Sequence, residues 1–140
     1  CGFTIASEAI IQSLLKVIAP YPIPEPVAQI VAQALEPENI ERMQQQVAFL
    51  NEQRTRLQAE LATRPGVELV GDVKANYILF RHSHCAQIMQ YLVSQGMLIR
   101  DQSKQLNLQN CLRVTIGSAE QNQRLLSLLD AYFEQAGASL

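Results

Sequence analysis

The sequence has no apolar run approaching the roughly 20 residues that a bilayer-crossing helix needs, and its first residues lack the basic start and apolar stretch of a secretory signal. It also lacks an excess of positive charge. Eleven Lys and Arg against thirteen Asp and Glu give a formal net charge of -2, and the basic residues are scattered, so the footprint that a nucleic-acid backbone demands is missing. Cysteine is scarce: Cys1, Cys85 and Cys111 are an odd set without CxxC spacing, which suits structural thiols in a reducing compartment. There is no G-x-S-x-G elbow, no P-loop, no Gly-rich dinucleotide fingerprint and no internal repeat. These absences predict a cytoplasmic chain that meets neither membrane nor nucleic acid.

What is present is ordinary globular material. Of 140 residues, 48% are apolar and 17% charged, enough for one core without metals or disulfides. The opening Cys1-Gly2-Phe3-Thr4-Ile5-Ala6 alternates like a strand already in progress, so we expect something upstream to have been removed. Ser7 suits a helix cap, with Ile10, Ile11, Leu14, Leu15 and Ile18 at helical spacing after it. Four of the six prolines then crowd into 19–26 at alternate positions, which predicts a stiff connector, either a plain loop or a strap between domains. A second helix is expected over 27–35 and a long third one over about 38–64, ended by Pro65-Gly66. Its apolar stripe, Ile40, Met43, Val47, Leu50, Leu57 and Leu61, is broken at Arg54 and lasts little more than three heptads, so it reads as a face packed along a sheet, with a short coiled coil as the lesser alternative.

Beyond Gly66 the pattern becomes β-β-α-β-β-α, with strands near 67–70, 76–81, 97–100 and 111–116 and a helix over 85–95. Ser118-Ala119-Glu120-Gln121 reads as a capping box, opening a last helix whose Leu125, Leu126, Leu129 and Phe133 form a buried stripe. The expected fold is α/β: a small antiparallel or mixed sheet of three or four strands with helices on one face, preceded by a helical segment.

Two arginines stand out as candidate chemistry. In Cys111–Ile116, alternation sends Leu112, Val114 and Ile116 to the helix-covered face and Arg113 to the other. A mid-strand Arg with its planar fork suits a carboxylate or phosphate. Arg100 lies on the strand that leads into the same hairpin. If Arg100 sits opposite Cys111, then Leu98 sits opposite Arg113, and the two arginines share a face at a diagonal roughly 7 to 8 Å apart. The plainer alternative is that each pairs with a surface carboxylate such as Asp101 or Glu120. His82-Ser83-His84-Cys85 gathers soft ligands without a fourth partner, and Ser83 reads better as a helix cap. Lys16, Lys74 and Lys104 fall in a helix end, a turn and a polar loop, settings that do not depress an amine pKa.

Cys1-Gly2-Phe3-Thr4-Ile5-Ala6, Ala19-Pro20-Tyr21-Pro22, Asn76-Tyr77-Ile78-Leu79, Leu98-Ile99-Arg100-Asp101-Gln102 and Cys111-Leu112-Arg113-Val114-Thr115-Ile116-Gly117, in that order, resemble the C-terminal part of the histidinol-phosphate aminotransferases, a subfamily of the fold-type I pyridoxal-phosphate enzymes. The resemblance implies that residues 1–36 are the end of the large domain and the interdomain connector, and residues 37–140 the small domain. It further implies a parent that exchanges an amino group between glutamate (or 2-oxoglutarate) and histidinol phosphate, working as a homodimer with pyridoxal phosphate. Arg113 then grips the substrate carboxylate and, with Arg100, the substrate phosphate. The family's Schiff-base lysine lies just before the Gly-Phe strand, so no cofactor and no turnover are expected of this chain alone. A threonine-phosphate decarboxylase or aromatic aminotransferase shares the same small domain, and a stand-alone anion-binding regulatory module is the alternative from another class.

Overall fold

A computed structural model describes residues 1–137. The chain divides into two compact units, Cys1–Gln46 and Val47–Leu140. In the first lie α1 (Glu8–Leu15), α2 (Glu25–Ala34) and the start of α3 (Pro37–Ala62). Pro26 sits in the first turn of α2, where its missing N–H costs nothing. Neither α1 nor α2 buries a residue, and Ile10, Leu14 and Leu15 are exposed. The predicted strand at 1–6 is not formed: no other strand lies in this unit to take its backbone hydrogen bonds, and Phe3 and Ile5 stand almost fully exposed. Ser7 occupies the N-cap of α1 but makes no side-chain cap bond.

The second unit carries the core. After α3 come β1 (Glu68–Leu69), β2 (Tyr77–Arg81), α4 (Cys85–Ser94), β3 (Arg100–Asp101), β4 (Cys111–Thr115) and α5 (Ala119–Gly137). All strand pairs are antiparallel, in the order β1-β2-β4-β3. Alternation on the two central strands decides the layers. Ile78 and Phe80 of β2 and Leu112 and Val114 of β4 are buried against Leu57 and Leu61 of α3, Ile88 and Leu92 of α4, and Leu125, Leu126 and Leu129 of α5. Each such side chain withdrawn from water contributes roughly 1.5 to 3 kcal/mol, which offsets the ordering of the short strands. Phe133, expected in this stripe, packs only at its edge.

The β-β-α-β-β-α order agrees with expectation, but three local details differ. The third strand begins at Arg100 rather than Met97. The reason is the end of α4: Gly96 adopts φ +72°, and the amides of Met97 and Gly96 bond back to the carbonyls of Leu92 and Val93 at 2.8 and 2.9 Å. This pair of hydrogen bonds at a left-handed helix end takes up the Met97 amide, the first donor that a strand beginning there would use.

The register of the β3–β4 hairpin also differs from the sequence-based pairing. Arg100 lies opposite Arg113, and Asp101 opposite Leu112. The loop after β3 takes up residues in successive turns: Asp101 Oδ1 accepts the Ser103 amide at 2.8 Å, and Gln105, Leu108 and Cys111 donate to Gln102, Gln105 and Leu108. The strands therefore close two positions away from the Arg100–Cys111 pairing. Arg100 and Arg113 share a face in both registers, but they are direct neighbours and not diagonal ones.

The third detail is the turn before α4. Ser83 does not cap that helix; His84 is the N-cap residue, and the imidazole of His82 accepts the His84 amide at 2.9 Å through Nδ1. At α5 the capping box forms as expected, with the Ser118 amide bonded to Gln121 Oε1 at 2.9 Å and the Gln121 amide to Ser118 Oγ at 3.3 Å.

Candidate functional site

The sheet face turned away from the core carries Tyr77, Leu79 and Arg81 from β2, Arg113 and Thr115 from β4, and Arg100 from β3. Three guanidinium groups on so small an area repel one another, so each needs a local answer. Arg81 has one within the fold. Its Nη1 donates to Glu68 at 2.9 Å, and its Nε and Nη2 donate to the carbonyls of Gln109 and Asn107 at 3.1 and 3.3 Å. Its pKa is raised above the ordinary arginine value, chiefly by the bond to Glu68. Arg81 thus ties β1 to the loop before β4, with each of its three nitrogens donating within the fold.

Arg100 and Arg113 are different. Neither makes an ion pair with a carboxylate among the described residues. The two acids that sequence offered as partners are otherwise engaged. Asp101 is held below the usual carboxylate pKa by hydrogen bonds from the Ser103 side chain and amide. Glu120 is lowered in the same way by the Ser118 hydroxyl, 2.7 Å away. Arg100 is exposed and Arg113 half-buried.

Arg113 has an aromatic neighbour that sequence reading missed. Its Cζ stands 5.0 Å from the centroid of the Tyr77 ring, inside the range of a cation–π contact. Tyr77 pairs with Thr115, and Leu79 with Arg113, so Tyr77 reaches Arg113 along the diagonal of the ladder. The period of β2 puts Tyr77 on the outward face, but only the β2–β4 register makes it the arginine's neighbour. The Arg113 Nε is buried and has no hydrogen-bond partner. A directly opposed arginine pair with unspent donors, one of them resting on an aromatic ring, is arranged to receive a carboxylate or phosphate.

The other candidates take structural places. His82 is buried, with Nε2 3.2 Å from the Pro65 carbonyl and Nδ1 on the His84 amide. Both ring nitrogens are used, and burial lowers the pKa of the imidazole. Cys85 and Cys111 are buried free thiols, whereas Cys1 is exposed. Lys16, Lys74 and Lys104 are exposed, and none lies on a strand. Among the described residues no three His, Cys, Asp or Glu side chains converge as metal ligands, and no helix is long and apolar enough to cross a membrane.

Comparison with known proteins bears on the whole chain. The family model described as aminotransferase class I and II matches residues 1–129. A histidinol-phosphate aminotransferase from Pseudoalteromonas atlantica is 58% identical over 133 residues, which is 95% of this chain and 36% of that protein. One from Escherichia coli is 47% identical over 131 residues, 94% of this chain and 37% of that protein. The chain thus spans little more than a third of the length of the curated relatives it matches. Among solved structures, the histidinol-phosphate aminotransferase from Clostridium acetobutylicum superposes with a TM-score of 0.79 at 18% identity, over 91% of this chain and 39% of that one. At that identity the likeness establishes the fold.

Proposed function

The chain belongs to the class I and II aminotransferases, and from that premise we propose that it is the substrate-anion-binding part of a histidinol-phosphate aminotransferase. In that reading, residues 37–140 are the small domain, and residues 1–36 are the end of the large domain with its connector. The parent moves an amino group between glutamate and imidazole-acetol phosphate in histidine biosynthesis. Arg113 receives the carboxylate of glutamate or 2-oxoglutarate, and Arg113 with Arg100 receives the phosphate of histidinol phosphate. The observation that carries this is the direct Arg100–Arg113 opposition on the face away from the core, with no carboxylate partner among the described residues. A dianionic phosphate offsets two positive charges where a neutral ligand leaves them in repulsion.

Pyridoxal phosphate supplies the electron sink for such chemistry. The residues of this chain do not by themselves fit that group. A lysine that holds the cofactor needs a pocket that desolvates it, whereas Lys16, Lys74 and Lys104 lie in solvent and Lys74 already faces Asp72 at 3.7 Å. The work of this chain in the reaction is therefore to bind and orient the substrate anion. A cytoplasmic homodimer is the assembly in which we place it.

Turnover of the full-length protein tests the reading. With histidinol phosphate and 2-oxoglutarate it should transaminate faster than with aromatic amino acids, and it should not decarboxylate O-phosphothreonine. The 140-residue chain alone should show no transaminase turnover with added pyridoxal phosphate. A preference for aromatic substrates, phosphothreonine decarboxylation, or turnover by the chain alone would each replace it.

A further inference from the structure

We propose that Tyr77 is a positioning residue: its ring holds the Arg113 guanidinium in place for an incoming anion and offsets the repulsion from Arg100 while the site is empty. The inference rests on the anion-binding reading of Arg113. Three observations carry it. Arg113 and Arg100 face each other directly across β3 and β4, an arrangement that is destabilising for like charges unless something of opposite sign is near. No carboxylate among the described residues supplies that sign to Arg113. The electron-rich face of Tyr77 does, with Cζ 5.0 Å from the ring centroid.

The geometry makes this compatible with ligand binding. A guanidinium that stacks flat on an aromatic ring still sends its N–H groups out in its own plane, so a stacked ring and an anion do not compete for them. The Arg113 Nε is buried and has no hydrogen-bond partner, so an edge of the guanidinium is left unsatisfied by the fold. An anion approaching from solvent meets the two Nη groups, and no hydrogen bond within the fold occupies them among the described residues. An arginine already ordered on a ring gives up less side-chain freedom when the ligand arrives, which tightens binding without any contact between Tyr77 and the ligand. The hydroxyl of Tyr77 has no part in this, so phenylalanine should serve as well.

The test uses the ¹⁵N-labelled chain and inorganic phosphate, following the Arg113 side-chain Nε–H signal, identified by its absence in Arg113→Lys. Phosphate should move that signal with the same affinity in the wild type and in Tyr77→Phe. Tyr77→Leu should weaken it by about two- to thirty-fold, the range spanned by cation–π contacts. Because Tyr77→Leu also removes packing, pentafluorophenylalanine at position 77 provides a ring of the same shape with its electrostatics inverted, and should weaken binding in the same direction. Equal affinity in Tyr77→Leu, in the fluorinated ring and in the wild type would overturn the role of Tyr77 and leave the anion site standing. A loss in Tyr77→Phe as large as in Tyr77→Leu would assign the effect to the hydroxyl and also overturn it. Failure of phosphate to move the Arg113 signal in the wild type would remove the anion site and the inference together.

Discussion

Arg64 grips Asp130 through two N–H···O bonds, Nε to Oδ1 and Nη2 to Oδ2, both 3.1 Å long, across 66 positions of sequence. Its Nη1 also meets the Glu60 carboxylate at 2.9 Å. The Arg64 side chain is only 10% exposed while Asp130 is half in water, so the fork pins the turn that follows α3 to α5 at the margin of the core. Arg64→Ala should lower unfolding free energy by about 1 to 3 kcal/mol, because charge-assisted bonds are lost and acids are left facing each other. Urea denaturation checks this, with the midpoint shifting at constant slope. Arg64→Lys should recover only part, since an ammonium cannot span both oxygens. No shift in either variant would make the fork a surface pair of no consequence.

His82 gives stability a pH dependence of definite sign. Its neutral form is the one the fold holds, because Nδ1 accepts the His84 amide while Nε2 faces the Pro65 carbonyl. Burial lowers its pKa below the ordinary 6.5, with the positive charge of nearby His84 acting in the same direction and the Pro65 carbonyl opposing both. The unfolded chain therefore takes up a proton as pH falls through about 6.5 before the folded chain does. Stability is complete above that pH, declines below it, and levels off once pH is under the folded-state value. Thermal unfolding between pH 7.5 and 5 should show this decline in the wild type. His82→Asn, which keeps an acceptor for His84, should have a lower melting temperature at pH 7.5 and a shallower decline; equal slopes would clear His82 of the effect.

Gly66 is required by the same cluster. It adopts φ +69°, and a Cβ there would stand 2.7 Å from His82 Nε2. The ring cannot swing aside without losing both of its backbone bonds. Gly66→Ala should destabilise by about 1 to 3 kcal/mol, combining the left-handed backbone cost with the contact. Chemical denaturation measures it, and the His82 ring proton shifts should move in the same variant. A neutral substitution would mean that the turn relaxes freely.

On the proposed reading of the full-length protein as a histidinol-phosphate aminotransferase, Arg113→Lys should lower kcat/KM for both the glutamate and the histidinol-phosphate half-reactions by roughly 10- to 100-fold, since a point charge cannot reproduce a two-pronged grip. Arg100→Ala should fall mainly on the phosphate substrate. Steady-state kinetics with each substrate varied in turn decides it; unchanged values for Arg113→Lys would remove that residue from the site.

Much of the architecture is written in local pattern. The switch from helical to alternating spacing after Gly66 gives the β-β-α-β-β-α order, because each period reflects which side chains one segment turns inward. The strand Cys111–Ile116 alone sends Arg113 away from Leu112 and Val114, and Ser118 with Gln121 announces α5 before any fold is considered. These readings need only neighbours within a few residues. The opening segment failed for the complementary reason: alternation in 1–6 states a preference, but a strand exists only where a partner takes its hydrogen bonds.

Everything that joins distant segments was decided by tertiary structure. Arg64 just after a helix gives no sign of Asp130, and Ser83 reads as the cap although His82, held against the Pro65 carbonyl in the turn before β1, is what accepts the His84 amide. The composition and periodicity of this sequence determined a small sheet with an arginine on its outward side. Only the closed fold decided that Arg100 stands directly opposite that arginine and Tyr77 beneath it. The turns inside 102–110 and the helix end at Gly96 set the hairpin register, and register depends on where loops close rather than on what any strand prefers.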